Sequence, residues 1–226
     1  MSNWLEEFTG RKIDIAQELL SGRCGGGYPE AIIIISCALS GIASLVWPGE
    51  RIDRRRFVEL MVRYCDPGLC TEYISTPLLV QDLTQSSEPA KNQAGLQMKQ
   101  KYIPSFPFER LILTGDDADG TEDELLQQWP VLSRTDVRKF SYPNLLYREL
   151  RCSLVHNYRL GDSTASIPLF EGEANISYVN SAGEKLIYFH LEWLLKVFRS
   201  VCTTVSPSLS ALPFGVPHRW WLDGAI

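Results

Sequence analysis

Histidine is scarce in this chain of 226 residues: His156, His190 and His218 are the only three. That shortage narrows the choice of metal ligands and of groups that exchange protons near neutral pH. The six cysteines, Cys24, Cys37, Cys65, Cys70, Cys152 and Cys202, include no Cys-x-x-Cys pair. A metal centre would have to draw on Cys65, Cys70, Cys152 and His156, and the wide gap between the first two makes a poor zinc knuckle. No metal and no cofactor are expected. Excess positive charge is missing as well. A net charge of −5 argues against a broadly basic nucleic-acid surface but leaves room for a local arginine cluster. The stretch Met1 to Glu7 is acidic, with no apolar leader. Reduced thiols in a cytoplasmic setting are therefore the expectation.

What the chain does contain is ordinary globular material, 45% hydrophobic and 22% charged, enough for one sizeable core. One run needs a decision. Ala31 to Trp47 carries no charge and sits at the short edge of a bilayer span. Its serines, its glycine and the flanking Glu30 and Glu50 favour the apolar-all-round centre of a helical bundle, with no membrane.

Periodicity predicts helices over Trp4–Leu20, over Pro29–Val46 and from Asp53, a candidate cap, to Cys65. Gly22 to Gly27 is glycine-rich but lacks the Lys-Ser/Thr of a phosphate-binding loop, so it reads as a connection. Arg54-Arg55-Arg56 places three cations on the first turn of the third helix, where the helix dipole disfavours them. They read either as a solvated face or as an RNA or phosphate contact. Gln81 to Lys101 is polar and reads as a loop or mobile helix. The acidic stretch 115–124 fails as a calcium loop: aligning Gly120 with the required glycine puts Leu126 where the bidentate Glu belongs. It reads as a solvated turn with a Thr121/Glu124 capping box. Short β-prone runs over 165–170, 174–179 and 186–189 predict a meander, followed by a last helix over Tyr188–Thr203 with His190 as a structural residue. The tail, 205–226, carries Trp220-Trp221, which should dock on the body or on a partner chain.

Polar chemistry embedded in a strong helical pattern occurs between Tyr142 and Gly161. At 100° per residue, Leu146, Tyr147, Leu150, Leu154 and Tyr158 share a face about 120° wide. Arg151 lies at its edge and His156 nearly opposite, about 140° of rotation from Arg151. His156 is therefore a solvent- or surface-facing histidine.

Leu150-Arg151, four residues on Val155-His156-Asn157, near the end of an apolar-striped helix, resembles the Arg-x4-6-His signature of HEPN domains. The resemblance implies a mainly α, HEPN-like helical bundle over 1–204, with a small β meander at about 165–189 inserted before the last helix. It further implies a metal-independent endoribonuclease, with Arg151 and His156 catalytic and Arg148, Ser153, Asn157 and Tyr158 in contact with RNA. Such enzymes pair this helix across a homodimer and belong to toxin–antitoxin or phage-defence systems, so an antitoxin or nucleotidyltransferase partner is implied too. A non-catalytic HEPN-like dimerising or nucleotide/RNA-binding module is the competing expectation.

Overall fold

The structure, a computed structural model, describes residues 3–69, 71–102, 112–165, 174–181 and 184–223. It is mainly helical. Helices α1 (Asn3–Leu20), α2 (Tyr28–Val46) and α3 (Asp53–Tyr64) come first, then α4 (Thr76–Thr84) and α5 (Pro89–Tyr102). Strand β1 (Ile112–Thr114) leads into the short helices α6 (Gly115–Ala118), α7 (Glu122–Gln128) and α8 (Arg134–Arg138). A continuous helix follows in three parts: α9 (Tyr142–Leu145), a π-helical segment (Leu146–Cys152) and α10 (Ser153–Asn157). The hairpin β2 (Ile176–Ser181) and β3 (Glu184–Phe189) precedes α11 (Leu191–Val205).

The charge-free run forms α2, which packs against α1, α3, α11 and the π segment. By length and composition it is the one described helix able to cross a membrane, yet half of its apolar window is buried within the protein. Pro29 in its first turn suits a helix start. On α11 the stripe Leu191, Leu194, Leu195, Phe198, Val201 and Cys202 is buried, as the 3.6-residue period requires.

Several expectations change. Asp53 is the first helical residue of α3, not its cap, and it pairs with Arg56. Of the two alternatives for the polar stretch 81–101, loop or helix, the structure takes helix for most of it. Leu83, Ala94 and Met98 are its deeply buried apolar residues, and Gly95 brings the backbones together: a Cβ there would lie 2.7 Å from Leu83 Cβ and 2.9 Å from the Thr84 nitrogen. The sheet is not a simple meander. Its order is β1-β2-β3, all antiparallel, with β1 drawn from a distant part of the chain. The β-prone run 165–170 falls outside the described residues beyond Ala165, whose N–H donates to the Ile187 carbonyl at 2.9 Å.

Two clusters fix the α9–α10 helix. Tyr142 packs edge-on against Trp193 (6.0 Å) and Phe189 (6.4 Å), joining the start of α9 to α11 and β3. The Tyr142 and Tyr178 hydroxyls both donate to Asp119 Oδ2 at 2.5 Å, and Thr76 N–H donates to Oδ1 at 2.9 Å. Asp119 is thus not part of a solvated turn; its carboxyl faces inward and ties α4, α9 and β2 together. The Thr121/Glu124 capping box is present: Thr121 N–H donates to Glu124 Oε2 at 2.8 Å.

The tail docks on the body. Trp220 is 4% exposed and meets Trp47 edge-on at 5.7 Å. Trp221 N–H donates to Glu59 Oε2 at 2.6 Å, and the Arg138 guanidinium sits 4.3 Å from the Trp221 ring centre.

Candidate functional site

The α9–α10 helix carries Arg148, Arg151, Ser153, His156 and Asn157, with Tyr158 just past its end, and its π segment of 7 residues is the unusual part. Such segments are rare and recur at functional sites, because they release backbone groups from the regular ladder. Two carbonyls here take other partners. Ser153 Oγ donates to the Arg148 carbonyl at 3.3 Å, and Gly161 N–H donates to the Glu149 carbonyl at 2.7 Å.

The second contact depends on how the helix ends. Tyr158 stops it in the left-handed region, φ 51°, with its N–H on the Leu154 carbonyl at 3.0 Å. This overturns the placement of Tyr158 on the core face: the helix is over by that position, the ring is 66% exposed, and its hydroxyl reaches Glu30. The chain then folds back so closely that a Cβ on Gly161 would lie 2.8 Å from Glu149 Cα and 2.9 Å from its carbonyl oxygen. Gly161→Ala is therefore expected to destabilise the protein by about 1–3 kcal/mol through overpacking against backbone. Thermal unfolding checks this; an unchanged melting temperature would show that the loop has room to move.

Arg151 and His156 occupy different surroundings. The Arg151 guanidinium lies 5.3 Å from the Tyr147 ring centre, and its Nη1 is 3.9 Å from Cys152 Sγ. Its Nε is buried and has no hydrogen-bond acceptor. Burial and then the neighbouring Cys152 push the Tyr147 phenol up to about 12, so it stays a neutral hydroxyl. His156 is exposed near the end of α10. Among the described residues, no hydrogen bond or ion pair joins Arg151 to His156.

The other candidates separate from that pair. Arg148, Ser153 and Asn157 line one cleft of about 530 Å³, closed by Arg159 to Ser163. Both arginines there are already matched: Arg148 Nε meets Glu149 Oε1 at 2.6 Å, and Arg159 pairs with Asp162. The cleft can offer hydrogen bonds, but little net positive charge.

Positive charge accumulates elsewhere. A groove of about 510 Å³ is lined by Arg51, Ile52, Arg54, Arg55, Thr135, Lys139, Leu222 and Asp223. Of the predicted arginine run, Arg56 turns away, donating to the Trp47 and Gly49 carbonyls at 3.3 and 3.2 Å. Arg54 and Arg55 face the groove. Arg51 and Lys139 carry no sequence signal that would group them with this pair; only the fold brings them there. His190 is structural, buried with Nε2 2.7 Å from Ser177 Oγ, and burial lowers its pKa.

No family model matches the chain, and no curated protein or solved structure matches it either.

Proposed function

We propose that this chain is a metal-independent endoribonuclease of HEPN type, acting as a cytoplasmic homodimer in which the α9–α10 helices of two copies build one cleft. The observation that carries the reading is Arg151: a guanidinium on a π segment with a buried Nε lacking an acceptor, one turn before a free, exposed histidine on the same helix. Because no hydrogen bond or ion pair joins the two side chains within one chain, the reading requires a second copy. A two-fold contact places two arginines and two histidines in one cleft from a single motif.

RNA supplies its own nucleophile, the 2′-hydroxyl. His156 takes that proton or returns one to the leaving 5′-oxygen. Arg151 holds the phosphate and stabilises charge developing on its oxygens. Arg148, Ser153 and Asn157, in the adjoining cleft, position the flanking nucleotide, and the exposed Tyr158 ring offers a base a stacking surface. An enzyme of this kind acts under restraint, with an antitoxin or a nucleotidyltransferase as the partner class.

An all-ribose oligonucleotide incubated with the protein in EDTA is expected to yield fragments with 2′,3′-cyclic phosphate and 5′-hydroxyl ends. The same oligonucleotide carrying a single 2′-deoxy residue at the cut site should resist. Fragments with 5′-phosphate ends, or equal cutting of the deoxy substrate, would exclude attack by the 2′-hydroxyl. The second reading, a non-catalytic dimerising or RNA-binding module, fits the same lack of a hydrogen bond or ion pair between Arg151 and His156. It predicts no cleavage of either substrate.

A further inference from the structure

We propose that the groove between the start of α3, α8 and the 3-10 turn Trp221–Asp223 binds the phosphate backbone of RNA, with Asp223 standing where a phosphate will sit. The proposal rests on the ribonuclease reading for the choice of polyanion. The charge count of the groove stands without it.

Four cations, Arg51, Arg54, Arg55 and Lys139, line the groove against one carboxylate, Asp223. Several other arginines of this acidic protein sit beside a carboxylate: Arg63 beside Glu59, Arg134 and Arg138 beside Glu122, Arg148 beside Glu149, Arg159 beside Asp162. Here only Arg55 has an acidic partner, Asp223 Oδ1 at 3.1 Å. Arg51 and Lys139 are exposed, and among the described residues their side chains make no hydrogen bond or ion pair. Arg51 is also held at φ 60°, a left-handed conformation that costs an L-residue about 1–2 kcal/mol, so its position is maintained against a local penalty.

The groove continues toward the candidate catalytic helix. Arg54 Nε donates to Asn144 Oδ1 at 2.7 Å, and Asn144 belongs to α9. Partial burial, and then the like charge of Arg148, lower the Arg54 pKa, which places Arg148 within electrostatic reach. A strand following the uncompensated charge passes from Arg51 and Lys139 over Arg54 and is led to the cleft beside Ser153 and Asn157, where Arg148 is already paired with Glu149. Contacts of this kind are made to phosphates, carry no sequence information, and weaken steeply with salt.

The Asp223 carboxylate is attached to a docked tail and occupies one of the groove's cations. It competes with the incoming phosphate in cis, so its removal frees Arg55 for RNA.

The test is binding of a short fluorescent 2′-O-methyl oligoribonucleotide, which lacks the nucleophile and stays intact. Arg51→Gly/Lys139→Glu removes two groove cations, one of them by a change that relieves the left-handed strain. It is expected to weaken binding at least tenfold, and to reduce the slope of log affinity against log salt, measured between about 50 and 200 mM, by roughly one to two. Asp223→Asn should strengthen binding several-fold. Wild-type affinity in the Arg51/Lys139 double variant would overturn the proposal, as would groove-dependent binding to anionic lipid vesicles with none to RNA. A protein that binds through the groove but cuts nothing would instead overturn the ribonuclease reading and leave the groove in place.

Discussion

Replacing Asp119 with alanine is expected to remove about 2–5 kcal/mol of stability, because the Tyr142 hydroxyl and the Thr76 N–H lose this acceptor together and the Tyr178 hydroxyl is left with Ser75 Oγ, 2.8 Å away. Tyr142 and Tyr178 are 2% and 1% exposed, so water cannot take over. Tyr142 is also the first residue of α9, and its release loosens the end of the helix that carries Arg151. Asp119→Asn keeps an acceptor and should cost less. The pH dependence separates the two effects. Burial outweighs the three hydrogen bonds and pushes the Asp119 carboxyl up to about 7, against about 3.9 in an unfolded chain. Between these values the folded protein keeps a proton that the unfolded chain has lost. The contribution of Asp119 is therefore full below about pH 4, falls as pH rises, and levels off above about pH 7. His190 acts in the opposite direction. Its pKa is lowered by burial, so its contribution is lost as pH falls below about 6.5. Comparing wild type with Asp119→Asn cancels the His190 effect. The melting-temperature advantage of the wild type should shrink as pH rises from about 5 to about 8. An advantage that stays constant over that range would mean the carboxyl is ionised throughout.

The second large effect is on activity. His156→Ala is expected to slow RNA cleavage by about 10²–10⁴-fold, the usual worth of a positioned proton-transfer group. Arg151→Ala should cost about 10²–10³-fold through lost stabilisation of the phosphate oxygens. Arg151→Lys restores the charge but not the two-pronged fork, and should fall between. The double variant should be little worse than the poorer single one, because the two groups act as a unit. Stability should barely change for His156→Ala, an exposed residue near a helix end, with a difference within about 0.5 kcal/mol. A cleavage loss accompanied by a lower melting temperature would point to misfolding instead.

Much of this architecture is legible in the sequence where one face of an element is strongly apolar. α2, α3 and α11 follow from periodicity, and the Thr121/Glu124 box follows from the reciprocal bonding that Thr and Glu three apart can make. Helix α5 is not legible in the same way, because Ala94, Gly95 and Met98 pack by closeness of backbones and leave little apolar stripe. Strand β1 is three residues long, and its partner lies far along the chain. Asp119 is hidden by its neighbours: Asp116, Asp117, Asp123 and Glu124 make the stretch look uniformly solvated, and only the packed partners, two tyrosines for Asp119 and Arg138 for Glu122, reveal that two of its carboxyls turn inward. Tyr158 satisfies the wheel that places it in the core, yet the left-handed turn at that residue ends the helix first. The groove is half-legible. Arg54 and Arg55 belong to an obvious run, but their alignment with Arg51, Lys139 and Asp223 exists only after α3, α8 and the tail have packed.

The ribonuclease reading is reached most directly by incubating all-ribose RNA with purified wild type in EDTA, beside His156→Ala at the same concentration and with its dimer content checked. Fragments in the wild type, and essentially none in the folded, dimeric variant, are the expected result. Intact RNA in both, or equal fragmentation in both, would contradict the assignment of the α9–α10 helix as an active site.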